Sequence, residues 1–117
     1  MSLVHALEAD RAGRIVEAAD FYEEAAKSGD VDADVLLNLA VLYWEATSMG
    51  FYAHHRLPDA FVDRANTRYR QLLAEAALQY PTEPAVEFWR RYIASVEDGA
   101  EFSREDCMAL MAAHPDY

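Results

Sequence analysis

From Asp34 to Ala46 the chain reads Asp-Val-Leu-Leu-Asn-Leu-Ala-Val-Leu-Tyr-Trp-Glu-Ala, with no Gly or Pro. The run is too long for an ordinary buried strand and is rich in Leu and Ala, so it predicts a helix. Leu36, Leu39, Ala40 and Tyr43 form one apolar face, and Leu37, Val41 and Trp44 a second. A helix that is apolar on two sides needs neighbours on both. This one belongs in the middle of a helical stack.

The same periodicity runs through the rest of the chain. Ser2 can cap a short helix from Leu3 to about Arg11. After Gly13, a second helix from Arg14 to Lys27 carries Ile15, Ala18, Ala19, Tyr22, Ala25 and Ala26 inward. Ser28-Gly29-Asp30 stops it, and Asp32 or Asp34 can cap the central helix. Thr47-Ser48-Met49-Gly50 weakens the pattern, which Phe51, Tyr52, His54 and His55 resume before a turn at Leu57-Pro58-Asp59. A long amphipathic helix from Asp59 to Gln79 is ended by Pro81. A fifth, opened at Thr82 or Glu83 and closed by Gly99, carries Val86, Trp89, Tyr92, Ile93 and Val96. Ser103 and Asp106 have capping-box spacing for a final helix to about Ala113, stopped by Pro115. Six helices in antiparallel pairs is the expected all-α architecture.

Pro81 and Pro115 lie 34 residues apart, each closing a helix pair, and the 51 residues from Asp30 to Pro81 hold one such period plus 17. With that period, the segment from Ala12 to Ala26 resembles the second helix of a tetratricopeptide repeat. Gly13 stands at the turn, Ala18 at the crossing, Tyr22 a turn later and Ala25 after it. Leu36, Leu39, Ala40 and Tyr43 resemble the first helix of the next repeat. Val86, Trp89 and Tyr92 sketch a third, with Trp89 bulky where a small residue is usual. The resemblance implies a single domain over residues 1–117, a short right-handed superhelix of three stacked pairs. Its repeats span about 1–30, 31–81 with an insertion near 47–64, and 82–115. Lengthening both helices of the middle pair would absorb the insertion and project a hairpin with Arg56-Leu57-Pro58 at its tip. An ordinary six-helix bundle would use Ala and aromatics in the same way.

Members of this repeat family bind peptides or proteins along a groove lined by the first helix of each pair. Carried onto this chain, the groove comprises Leu7 and Arg11; Leu37, Asn38, Val41, Trp44 and Glu45; and Glu83, Glu87 and Arg90. Asn38 matches an asparagine that grips a ligand backbone, since an amide both donates and accepts. Trp44 is a large amphipathic anchor. The subgroup that clamps a C-terminal carboxylate is a poor match, with Val4 in place of an Asn and Glu83 and Glu87 in place of cations. A partner carrying Lys or Arg is favoured instead. Against that, Glu83 and Glu87 would equally serve as a solvated helix face.

Charge sharpens this reading. The 117 residues carry a net charge of −11, with a pI near 4.6, which disfavours nucleic acid and anionic membrane surfaces. Apolar residues make up 53% of the chain, enough for a core, and no stretch reaches a membrane span. With the single Cys107 an intramolecular disulfide is excluded, and a cytoplasmic location is the default expectation. Cys107 with Met108 and Met111 is expected on a buried face. No cofactor motif is present, and whether Met1 to Leu3 is partly a cloning remnant stays open in the sequence.

The expected function is therefore non-enzymatic protein or peptide binding through an acidic groove. An acidic inhibitor of a nucleic-acid-binding enzyme is a variant, and the open ends of the stack would permit a homo-oligomer. The rival is a small metal-dependent enzyme using His54, His55 and Asp59, with a helical turn joining His55 to Asp59. Adjacent histidines point to different faces, however, and His-Glu-x-x-His or Cys-rich spacing is missing.

Overall fold

The computed structural model describes residues 2–28 and 32–113. Gly29, Asp30 and Pro115, which entered the reading above as helix stops and spacing markers, lie outside the described residues. Seven helices and no strand occur among those described: α1 (Ser2–Arg11), α2 (Ile15–Lys27), α3 (Ala33–Ala46), α4 (Met49–His54), α5 (Asp59–Gln79), α6 (Pro84–Asp98) and α7 (Arg104–Ala113). The fold is all-α. No described helix is long and apolar enough to cross a membrane.

The central position of α3 follows from its two apolar faces. It packs most extensively on α5 and also meets α2, α4 and α6. Nine of its residues are buried, among them Val35, Leu36, Leu37, Leu39, Ala40 and Tyr43. Ala18, Ala19, Ala40, Ala65 and Ala76 are all fully buried and let the helix axes approach closely. Tyr22, Tyr43 and Tyr69 fill the spaces between. Burying such aromatics leaves hydroxyls to satisfy, and carboxylates at the core's edge do so. Tyr22 donates to Asp10 at 3.3 Å and Tyr43 donates to Glu23 at 3.1 Å. Glu23 also receives Arg68 through Nε at 3.0 Å and through its terminal nitrogen at 2.7 Å. This bidentate pair links α2 to α5, and the Tyr43 bond to the same carboxylate adds α3.

Helix ends follow the local chemistry. Asp32 accepts from the Val35 amide at 2.9 Å, capping α3. Ser103 and Asp106 form a reciprocal capping box, both bonds being 3.1 Å. Gly99 ends α6 at φ +69°, a left-handed conformation that costs any other residue a Cβ clash.

Two expectations are corrected. α3 is not lengthened through the insertion. The Thr47 hydroxyl and amide both bond the Trp44 carbonyl, at 2.6 and 3.1 Å, and Ser48 turns extended, so the helix stops at Ala46. The inserted residues form the separate α4 and contribute to the 21-residue α5. Nor does the tip project. Phe51 and Leu57 pack against the core, and a Cβ placed on Gly13 would lie 3.6 Å from the His55 ring. The insertion is folded back over the turn between α1 and α2.

The third correction concerns α7. Leu110 is its buried residue, Cys107 is half-buried, and Met108 and Met111 are exposed. The Cys-Met side therefore does not form a buried face. Arg91 ties α7 to α6 instead, reaching Asp106 at 3.7 Å and lying 4.5 Å over the Phe102 ring.

Candidate functional site

The surface of α3 away from α5 carries two adjoining clefts. The smaller, about 160 Å³, is lined by Asp10 of α1, Leu37, Asn38, Val41, Leu42 and Glu45 of α3, and Trp89 of α6. The larger, about 410 Å³, is lined by Trp44, Glu45, Thr47, Ser48, Phe51, Val96 and Glu97. Glu45 borders both, so they form one continuous track along α3. Its α3 lining follows from helical spacing: Asn38, Val41 and Glu45 recur at intervals of three and four, and so share one side.

The two walls differ in chemistry. Leu37 and Leu42 are buried and supply an apolar floor to the smaller cleft, while Asn38 is exposed at its rim. Glu45 has its pKa raised, first by desolvation within the cleft and then by the negative charge of Asp10. No Lys or Arg lines either cleft. On the far side, Trp44 leans towards α6. Its indole Nε1 donates to Glu97 at 2.8 Å, and its ring meets Tyr92 edge-on at 5.9 Å. Phe88, Trp89 and Tyr92 continue this aromatic wall, with Phe88 stacked on Tyr92.

Leu37, Asn38, Val41 and Glu45 are thus brought together as the spacing implies, and Trp44 stands beside them in the larger cleft. Glu87 and Arg90 are not brought there. They line a separate depression with Arg91, Ala94, Ala100 and Glu101. Glu83 flanks the start of α6 without a side-chain capping bond. Leu7 and Arg11 are surface residues of α1 and line none of these three clefts. The α1 residue that reaches the smaller cleft is Asp10, neighbour of the expected Arg11. Asp10, Leu42, Thr47, Ser48, Phe51, Trp89, Val96 and Glu97 were missing from the sequence-derived groove. Trp89 had a signal, as a bulky residue at a position where a small one was expected.

No protein-family model, curated protein or solved structure matches this chain. Its chemistry has to be argued from these residues.

For the histidine alternative, the geometry is specific. His54 and His55 meet edge-on at 5.0 Å, and His55 packs on Phe51 at 4.5 Å. Arg56, at φ +52°, ends the helical turn before Asp59, so α4 and α5 are separate helices rather than one turn joining His55 to Asp59. Among the described residues no group of three or more His, Cys, Asp or Glu side chains could hold a metal ion.

Proposed function

We propose that this chain is a non-enzymatic protein- or peptide-binding module, built from tetratricopeptide-like helix pairs, and that it favours a basic partner. The observation that carries the reading is the track along α3, where the carboxylates of Asp10, Glu45 and Glu97 stand beside Trp44 and Trp89 with no lining cation. Aromatic anchors and an unpaired row of like charge are the ingredients of a surface that gains by being covered with opposite charge. The packing order also supports repeat-like pairing: α1 packs on α2, α3 mainly on α5, and α6 on α7, with α2 and α5 meeting the first helix of the next pair. Asn38, exposed at the rim, is placed to hydrogen-bond an extended backbone.

The test is an array of immobilised short peptides graded in Lys and Arg content, probed with wild type and with the Asn38→Ala/Glu45→Gln variant. Binding that rises with cationic content, weakens with salt and drops on the double substitution supports the reading. Binding indifferent to the substitution removes the track along α3 as the site.

A further inference from the structure

The smaller cleft has a narrower specification than the groove as a whole. Its volume of about 160 Å³ is below the roughly 300–1,000 Å³ of pockets that enclose a small-molecule ligand. It is nevertheless more than a dent, because three helices converge on it and its lining is divided by chemistry. Leu37, Val41, Leu42 and Trp89 are apolar or aromatic, and Asp10, Asn38 and Glu45 supply the polar atoms. A long aliphatic stem with a cationic head matches that division. The stem lies on the apolar residues and the head reaches carboxylates. We infer that this cleft is a receptor for one Lys or Arg side chain of the partner, with the stem on Leu37, Val41 and Trp89 and the cation between Asp10 and Glu45.

This rests on the binding reading above and deepens it, by assigning one position of the partner. Glu45 already stands against the negative charge of Asp10, and an arriving cation relieves that repulsion. A neutral side chain of the same length would gain the stem contacts and leave the repulsion in place.

The test uses Nα-acetyl-lysine methylamide and Nα-acetyl-arginine methylamide as probes, with the norleucine analogue as the uncharged control of equal stem. Each is titrated into the ¹⁵N-labelled full chain, following the Trp89 indole and Asn38 side-chain amide signals. The cationic probes are expected to shift both signals saturably, and norleucine to bind on the order of tenfold more weakly, since each partly exposed charge pair contributes a factor of a few. The Asp10→Asn/Glu45→Gln variant should bring the lysine probe down to the norleucine level. Norleucine binding as tightly as lysine overturns the inference, as do shifts that avoid Trp89 and Asn38. Because this comparison is made on wild type, it stands even where the variant is poorly folded. The two readings also fail separately. A basic array peptide held equally by wild type and the Asp10→Asn/Glu45→Gln variant overturns the cleft assignment, leaving the wider groove. An array on which wild type shows no preference for cationic peptides overturns the basic-partner reading itself.

Discussion

α3 and α6 are nearly equal in length, 14 and 15 residues, and both are rich in large apolar side chains, yet they are buried very differently. α3 buries nine residues. α6 buries only Val86 and Ile93, leaving Tyr92 and Val96 exposed. The cause is the number of neighbours: α3 is surrounded by α2, α4, α5 and α6, whereas α6 meets α5, α7 and one side of α3. Hydrophobic content alone therefore does not make a core helix. It also gives the clefts two unlike walls, one fixed in a close-packed interior and one aromatic and half-open.

The contrast would break first in the interior. Leu39 is fully buried, so Leu39→Ala should destabilise the fold by about 2–5 kcal/mol. Val96→Ala on α6, at a position 55% exposed, should stay within about 0.5 kcal/mol. Urea unfolding midpoints measure both, and similar losses would mean that the two helices are equally buried in solution.

Much of this difference was readable from the chain. The two-faced pattern of α3 already demanded neighbours on both sides, and Asp32, Gly99 and the Ser103–Asp106 box mark helix ends by local chemistry. What escaped depends on tertiary placement. Thr47 ends α3 through a bond to Trp44 that helical spacing does not foretell. Met108 and Met111 satisfy an apolar pattern but stay largely exposed. At the clefts, the α3 residues were legible because one helix presents them together. Asp10, Trp89 and Glu97 come from other helices, and only the packing angle of those helices decides whether 10 or 11, 89 or 90, turns inward.

A second prediction sharpens the interior side of the comparison electrostatically. Burial raises the pKa of Glu23, but its hydrogen bonds and charge interaction with Arg68, aided by the Tyr43 hydroxyl, outweigh that and leave it lowered. A lowered carboxylate pKa means the folded state holds the charged form more tightly than the unfolded one does. Its contribution is fully present above the ordinary value of 4.5 and is lost as pH falls through the folded pKa. Glu23→Gln should therefore cost about 1–2 kcal/mol at pH 7 and distinctly less at pH 3. Denaturant midpoints at the two pH values test the sign; a larger loss in acid would contradict it.

A more local effect is expected at the other end. Ser103→Ala removes the hydroxyl that accepts from the Asp106 amide, at a cost of about 1 kcal/mol. Hydrogen exchange should locate that loss, with the amides of α7 exchanging faster while those in the middle of α3 stay unchanged. If α3 loses protection equally, the C-terminal pair unfolds together with the interior and the distinction between the regions disappears.

The placement of the aromatic residues also makes the molecule optically self-reporting. The chain has two tryptophans, and one borders each cleft: Trp44 the larger, Trp89 the smaller. Trp44 already holds a carboxylate through its indole nitrogen, while Trp89 stands beside two carboxylates, Asp10 and Glu45, in its own cleft. Whatever settles along α3 must change the polarity around at least one indole. Occupancy can therefore be followed by the emission of the unlabelled protein, and Trp44→Phe and Trp89→Phe would separate the two compartments by colour and quantum yield.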